Sequence, residues 1–539
     1  MSPRLFRVLT TFFSAIALLT PVGLSTPVTA SNTDEVCGEL KPWKAKKKNR
    51  LLQFDADCRE VYVEPPLTDS NARETASSQS ITSAATFDPS QAFALHSRPN
   101  APSVIYLDFD GHTWSSGSWW NGAFSISAGR VSEGYSIDAD ASTFTTEERQ
   151  NIYQVWMMVS EDFAMFDIDV TTERPTGDRE QVFLQSGSHA LILQDNQVQE
   201  GCNCGGVAHL DVFEEETPWV RPALNFSRFG TYIAHPIDIA EIISHEVGHN
   251  LGLAHDGQTV DVEYYGGHTM WSAIMGAGRG RGISTWSYGG YPLAMTRWPQ
   301  RGGEDDFSQM GLYLGLIPDD FANTVETALP LTSEILSNGV TGRITTRDDV
   351  DVMKLEVSNL DAGQYDIQLN PIDYGPNLDP ELQLLDSNGN AIATSNPGVF
   401  VPQPMTYITS GLGAKFSIKL NPGTYFVRID GVGQGSLADG TGYDDYGSLG
   451  NYTLEFSVAK IAPTISRVTP LKIQAGKRIT IRGTNLSTAK VFLGKRALRV
   501  VSAIDTRIVV VAPSKLKGKS FVLRVVGEFV EVTQQVKRK

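Results

Sequence analysis

The sequence predicts a multidomain chain: an α/β (α+β) domain followed by two antiparallel β-sandwich domains. Three observations predict it. A chain of 539 residues is too long for one hydrophobic core and divides into units of about 100–200 residues. Residue usage changes along the chain: all nine histidines lie between His96 and His268, and all nine tryptophans lie before residue 299. The remainder of the chain is rich in Val, Ile, Thr, Gly, Asp and Asn. Helix-period and strand-period segments are mixed up to about residue 317, whereas only short strand-like runs separated by turns come after it.

Residues 1–30 read as a secretory signal peptide. Arg4 and Arg7 precede a largely apolar run from Val8 to Leu24, and Val28-Thr29-Ala30 supplies small residues before a cut. A membrane anchor is the competing reading, but Pro21 breaks the run and the apolar stretch is short. No later stretch is long and apolar enough to span a bilayer, so the protein is expected outside the cell. Residues 31–96 read as a pro-segment. Lys41 to Arg50 is strongly basic, and Asp69 to Ser90 is rich in Ser, Thr and Ala without clear periodicity. A plain linker is the alternative. Maturation would take two cuts, one near Ala30 and one between about residues 75 and 100. Four cysteines in an exported chain allow three pairings. Cys37 with Cys58 and Cys202 with Cys204 is the most local, and Cys37 or Cys58 could instead cap a metal as thiolate.

From about residue 97 to 317 the pattern is α/β. Ser103 to Phe109, Phe166 to Thr172, His189 to Gln194, Gly206 to Val212 and Leu224 to Phe226 read as strands. Thr145 to Phe163 reads as a helix. Thr145 can cap it, Glu147 and Glu148 suit its first turn, and Ile152, Val155, Trp156 and Val159 share a face. Asp238 to Leu251 reads as a second helix anchored by Ile239, Ile242, Ile243 and Val247. Asp108 with Asp110, and Asp138 with Asp140, could bind Ca2+, although ordinary turn chemistry accounts for both.

His245 to Asp256 reads H-E-V-G-H-N-L-G-L-A-H-D. His245 and His249 are one helical turn apart on one face. Two imidazoles so spaced can bind one metal ion at ~2.0–2.1 Å each, which suits Zn2+. Glu246 stands beside the first ligand, within reach of an activated water. Gly252 lets the chain leave the helix sharply, because only glycine takes positive φ cheaply. The turn returns His255 as a third ligand and leaves a fourth position open, as catalysis requires. Ser272-Ala273-Ile274-Met275-Gly276 comes after the motif, with Met270 as a second candidate for a methionine beneath the metal.

The extended histidine motif and the later methionine resemble the metzincin clan of zinc endopeptidases. Asp256, directly after the third histidine, resembles the adamalysin (reprolysin) branch. The resemblance implies that His245, His249 and His255 hold zinc, that Glu246 is the general base, and that Gly252, Asp256 and Met275 support the site. It also implies that substrate pairs with an edge strand before the active-site helix, here Gly205-Gly206-Val207-Ala208 after Cys204. Main-chain pairing there would place little demand on sequence. The segment through Trp286 and Tyr291 would wall the pocket. Two departures stand out. Ala277 occupies the place of the tyrosine that astacins and serralysins use as a fifth ligand, and the eukaryotic adamalysin cysteine pattern is missing. A bacterial secreted relative is the better match.

Asp319-Asp320-Phe321-Ala322-Asn323-Thr324 opens a new unit, spanning 318–460. Val350 to Val357, Tyr365 to Leu369, Leu382 to Leu385, Ala414 to Leu420, Thr424 to Ile429 and Tyr452 to Val458 read as its strands. The pattern, with its Gly447-Ser448-Leu449-Gly450-Asn451-Tyr452 close, resembles the pre-peptidase C-terminal (PPC) domain of bacterial secreted proteases. Some members of that family bind Ca2+. Asp349, Asp351, Asp379, Asp430, Asp444 and Asp445 are its acidic candidates, and solvated loops are the plainer account. Residues 461–539 resemble an IPT/TIG immunoglobulin-like domain through Pro463 to Pro470 and Ile479 to Leu486. Residues 462–539 hold 17 Lys/Arg against three Asp/Glu, in a chain of net charge −16. That asymmetry points to an anionic surface, such as a cell-envelope polymer, as partner. Nucleic acid is not expected, given export and no aromatic platform.

Together these features predict a secreted zinc-dependent endopeptidase acting on protein or peptide substrates through a metal-activated water. The alternative is an extracellular binding or adhesion protein carrying an inactive metzincin domain. The intact Glu246 argues against it.

Overall fold

The computed structural model describes residues 52–55, 57–66, 87–114, 129–138, 140–194, 204–215, 220–259, 262–277, 281–294, 305–358, 362–399, 411–460, 463–527 and 531–539. The signal peptide expected at 1–30, Cys37 and Cys202 lie outside these residues. The described chain is mostly β-sheet, in several sheets, with few helices.

The first sheet has seven strands: β1 (Leu52–Phe54), β2 (Glu60–Val63), β3 (Ser103–Asp108), β4 (Ile168–Thr171), β5 (Gly187–Leu193), β6 (Gly206–His209) and β7 (Pro222–Phe226). Their order is β1-β2-β6-β7-β5-β3-β4. β7, β5, β3 and β4 are parallel neighbours, whereas β1, β2, β6 and β7 pair antiparallel. All six residues of β3 are buried, as befits the middle of a parallel sheet. Three helices, α1 (Thr146–Asp162), α2 (Asp178–Gln185) and α3 (Pro236–Asn250), interleave with the strands.

α1 starts where Thr145 stops the extended chain. Its hydroxyl accepts from Glu148 N at 3.2 Å, and the Glu148 carboxylate accepts from Thr145 N at 2.7 Å. Such a capping box satisfies two helix-end donors, and its cap alone is worth about 1 kcal/mol. Ile152, Val155 and Val159 are buried in the same core as Ile239, Ile242, Ile243 and Val247 of α3. Pro236 opens α3, where its missing N–H loses no bond. Both helices fall within two residues of the spans that periodicity predicts. α2 does not appear in that reading, because it buries none of its residues and so shows little amphipathic signal.

The described part of the stretch expected to be a pro-segment packs against this domain. β1 and β2 belong to its sheet. Further on, Ala92 is buried and His96 reaches Asp169 and Glu173, each at 2.8 Å. From Phe87 on the chain packs against this domain, with Phe87 stacked on Tyr153 at 4.1 Å.

After α3, short strands β8 (Trp271–Ala273) and β9 (Ile283–Thr285) pair in parallel around Met275, and α4 (Asp306–Met310) closes the domain. The second unit is a two-sheet sandwich. Its elements are β10 (Leu329–Pro330), α5 (Ser333–Asn338), β11 (Val340–Ile344), β12 (Val350–Val357), β13 (Gly363–Pro371), β14 (Pro380–Leu385), β15 (Ala391–Ser395), β16 (Ala414–Leu420), β17 (Gly423–Gly431) and β18 (Gly450–Lys460). The sheets run β10-β12-β17-β14-β15 and β11-β18-β13-β16. Alternation along β13, with Tyr365, Ile367 and Leu369 buried, gives the inner face.

This sandwich shares one continuous core with the first domain. Met158, Phe163, Trp286 and Met310 belong to the same buried cluster as Leu355, Ile367, Val427 and Tyr452. Asn451 donates from N and Nδ2 to the two oxygens of Glu161 at 2.9 and 2.6 Å, and Asn377 Nδ2 donates to Asp162 at 2.9 Å.

The last unit has its own core, built on Ile479, Ile481, Val491, Ile508, Val510, Leu523 and Val525. It contains β19 (Arg467–Thr469), β20 (Lys472–Ile473), β21 (Arg478–Arg482), β22 (Lys490–Leu493), β23 (Arg496–Ala497), β24 (Arg499–Ile504), β25 (Arg507–Val511), β26 (Ser520–Val526) and β27 (Glu531–Arg538), in sheets β19-β21-β25-β24 and β20-β27-β26-β22-β23. Arg467, Arg482 and Arg507 stand directly opposite one another across three strands, all exposed, while Arg478 and Arg499 both face Val511.

Candidate metal centre

α3 presents His245 and His249 from one face, and the chain leaves it through Leu251 and Gly252. Gly252 has φ of +88°, and a Cβ there would lie 2.5 Å from Gln309 Nε2. The turn that the glycine permits brings His255 back under the helix. His249 Nε2 and His255 Nε2 come within 3.1 Å of each other. Four donors at ~2.0–2.1 Å around one tetrahedral ion stand about 3.3 Å apart, so this spacing suits two ligands of one ion.

Each imidazole is aimed by its outer nitrogen. His245 Nδ1 donates to Ile274 O at 2.8 Å, His249 Nδ1 to Leu253 O at 2.8 Å, and His255 Nδ1 to the Glu263 carboxylate at 3.0 Å. These bonds fix the tautomer that leaves Nε2 free to ligate, which is the usual outer-shell arrangement of metal histidines. His245 Nε2 is buried and has no hydrogen-bond partner.

The position expected to stay open is filled by Glu64. Its Oε1 lies 2.8 Å from His255 Nε2 and 3.6 Å from His249 Nε2, and its Oε2 lies 3.6 Å from His245 Nε2. Glu64, His245, His249 and His255 thus form a buried cluster that could hold a metal ion. Burial raises the Glu64 carboxyl, but the charges of His255 and His245 outweigh it and hold the group well below the ordinary carboxylate range. Burial pushes His249 down to about 3, whereas the charges of Glu64 and Glu263 overcome the same burial and raise His255. Tyr264 donates its hydroxyl to Glu64 Oε2.

The supporting residues meet at the same place. Met275 is fully buried, and its sulfur lies 2.6 Å from where a Cβ on Gly248 would stand, between the two helical histidines. Asp256 N donates to Met275 O at 2.9 Å, and Tyr291 donates to the Asp256 carboxylate at 3.2 Å. Met270 lies apart from the ligands, packed against the cluster of Trp271 and Tyr291. Glu246 is fully buried, and its carboxylate lies against β6: a Cβ on Gly206 would come 2.1 Å from its Oε1.

Gly205, Gly206, Val207 and Ala208 do lie beside the centre, but they are not an outer edge. β2 pairs with β6 as Val61–His209, Tyr62–Ala208 and Val63–Val207. Glu64 N then donates to Gly206 O at 2.9 Å, and Gly205 N donates to Glu64 O at 2.8 Å. Tyr62 stacks on His249 at 4.3 Å and meets His255 edge-on at 4.3 Å. Glu64 and Tyr62 escaped the sequence reading. The alternation Glu60-Val61-Tyr62-Val63-Glu64 was the signal that marked a strand there. A thiolate cap from Cys58 is overturned, because Cys58 is disulfide-bonded, as is Cys204.

A second cluster joins Asp319, Asp320 and Asp351. Asp351 is fully buried and accepts from the Tyr452 hydroxyl, while its Oδ1 has no hydrogen-bond partner. Burial, with the charges of Asp320, Asp349 and Asp319, pushes its carboxyl up to about 8. The other acidic candidates are engaged locally. Asp108 meets His189 at 2.7 Å, and Asp138 accepts from Asp140 N at 2.7 Å. Asp349 accepts from Thr345, Asp379 from Tyr443, Asp430 from Arg428, Asp444 from Tyr288 and Asp445 from Arg347.

Comparison with known proteins bears on the C-terminal end. The IPT/TIG domain family matches residues 463–536. No curated protein matches the chain. Among solved structures, the PPC domain of a collagenase from Bacillus anthracis is 17% identical, covering 26% of this chain and 98% of that one at a TM-score of 0.17. A protein of unknown function from Bacteroides thetaiotaomicron is 21% identical, covering 14% of this chain and 22% of that one at a TM-score of 0.13. Scores this low leave the sandwich and the first domain to be argued from their own geometry. Among the described residues, no helix is long and apolar enough to cross a membrane.

Proposed function

We propose that the chain is a secreted zinc-dependent endopeptidase of the metzincin kind, with the adamalysin-like branch as its nearest pattern. The observation that carries this reading is the convergence of three imidazole Nε2 atoms, each aimed by an outer Nδ1 bond, beside the buried carboxylate of Glu246. His245, His249 and His255 would hold the ion. Zinc, when bound, supplies a Lewis acid that polarises a carbonyl and acidifies water. Glu246 takes the proton from the attacking water and returns it to the leaving amine. Gly206 leaves room for that carboxylate. Gly205 to Ala208 offer main-chain donors and acceptors to an extended peptide, and the residues around Trp286 and Tyr291 wall the pocket.

Glu246→Gln is the test. The amide keeps the size of the side chain but cannot accept the proton, so casein hydrolysis by protein freed of its N-terminal segment should fall ~10²–10⁴-fold with zinc content unchanged. His255→Ala should instead lose metal. Full activity in Glu246→Gln would refute the mechanism, and zinc-loaded wild type that cuts no peptide would favour the adhesion-protein reading.

For residues 318–460 we propose a PPC-like sandwich with a structural Ca2+ at Asp319, Asp320 and Asp351, where a buried carboxylate oxygen lacks a partner. Calcium at 100 times its Kd should then add about 2.7 kcal/mol to stability. Asp351→Asn should abolish the rise in melting temperature; a rise that persists would refute the site. For the basic IPT/TIG domain we propose an anionic cell-envelope polymer as partner.

A further inference from the structure

We infer that the segment Glu60–Pro66 holds this chain latent, with Glu64 as the fourth ligand of the metal centre and the segment lying in the substrate's place on β6. The inference rests on the zinc-peptidase reading and adds its regulation.

Geometry argues it from both faces of one strand. Residues alternate across a strand, so Tyr62 and Glu64 share one side and Val61 and Val63 the other. Val61 is buried with Trp114, Leu191, Val207 and Leu224, and Val63 packs beside it. That apolar face sets the register, since a slip of one residue would turn Val61 outward. With the register set, Tyr62 is laid on His249 and the Glu64 carboxylate reaches all three Nε2 atoms within 3.6 Å.

The same segment consumes the main-chain groups that an extended substrate would use. Ala208, Val207, Gly206 and Gly205 are all paired with residues 62–64. The ladder then stops, because Pro65 and Pro66 have no N–H. The Glu64 carbonyl accepts from Gly205 N, so the group that faces the ligands is the side-chain carboxylate, and a carboxylate is a zinc ligand in its own right. Glu64 is joined to the site by the chain itself. A tethered occupant has an effective concentration of order mM, against substrate KM values of about 1 μM–1 mM. Few substrates would displace it. Asp55, which meets His209 at 3.1 Å, adds a second hold on β6.

Cobalt(II) in place of zinc gives a readout independent of catalysis, because its visible bands report the ligand set. Full-length wild type, Glu64→Gln and Glu64→Ala should be loaded with cobalt, scanned, and stripped with a chelator, with circular dichroism checking the fold. Both variants should show altered bands and lose metal at about tenfold lower chelator, by analogy with the loss that single ligand-shell changes cause. Uncut Glu64→Ala should hydrolyse casein at least tenfold faster than uncut wild type. Glu64→Gln keeps the strand pairing, so it covers the case in which the alanine chain fails to fold. Unchanged bands and chelator sensitivity in both variants would overturn the inference, as would an uncut wild type already fully active. Altered bands with no hydrolysis by any form would sink the peptidase reading and leave the ligand assignment standing. A wild type that binds no cobalt would sink both.

Discussion

Gly206 shows how tightly single residues are fitted around the centre. A Cβ there would lie 2.1 Å from Glu246 Oε1, closer than atoms can approach, so Gly206→Ala must displace the carboxylate. The three histidines keep their outer Nδ1 bonds, and Glu64 meets Gly206 only through its backbone N–H. We expect Gly206→Ala to lose peptide hydrolysis by about tenfold or more, given the ~10²–10⁴-fold reach of a general base, while retaining zinc. Metal analysis and casein hydrolysis on one preparation would read both, and loss of zinc together with activity would show the placement wrong. The histidines, Glu246, Gly252 and Met275 were legible because their chemistry depends on short spacings along the chain. Gly248 was passed over, since a helical glycine beneath a methionine sulfur declares itself only when the packing is seen. Glu64 was missed for a related reason: its partners lie some 181 to 191 residues away, and nothing in its own neighbourhood names them.

Among the elements, the end of α1 carries a pH-dependent joint. Glu161 is fully buried against Asn451, and burial first, then the neighbouring Asp162, pushes its carboxyl up to about 8 despite the opposing Asn451 bonds and Arg343. Burial, with Glu241 adding to it, pushes Asp162 up to about 7 against bonds from Ser244 and Asn377. A carboxyl raised in the folded state binds its proton more tightly there than when unfolded, where its pKa is near 4. The contribution of this joint to stability is therefore fully present below about pH 4 and is lost as pH rises to about 8. Thermal melts of full-length protein at pH 5.5 and 8.5 should show the lower midpoint at pH 8.5. Glu161→Gln should narrow that gap, and an equal gap in both proteins would count against the assignment. Elements with local signals were well read. Thr145 and Glu148 gave the start of α1, and Ala414 to Leu420 matches β16 to the residue. Pairing partners were not readable, because β2 and β6 meet across more than 140 residues through backbone groups that every sequence shares.

At the scale of the whole molecule, charge is divided between units. Arg467, Arg482 and Arg507 oppose one another across β19, β21 and β25, although like charges directly opposite are destabilising. With Arg478 and Arg499 they leave an exposed cationic face on a protein of net charge −16. We expect the full chain to bind isolated anionic envelope polymer, and binding to weaken about tenfold or more as salt rises and the Debye length falls from about 10 Å towards 3 Å. Replacing Arg467, Arg482 and Arg507 with Gln should weaken low-salt binding to a similar degree. Retention that ignores both salt and these residues would exclude the face. Composition revealed the excess charge, but only strand register shows that it is gathered in rows.

The core that runs without a break from Met158 and Trp286 into Leu355 and Tyr452 also sets what can be inherited or transplanted as a unit. A recombination event, or an engineer, that separates the histidine-bearing half from the sandwich cuts through a shared interior and exposes apolar surface on both pieces. The last unit has an interior of its own, so it can be exchanged for another module at little cost. The smallest portable version of this chain thus keeps both halves of that shared interior together, and diversity among natural arrangements of its parts should begin beyond residue 460.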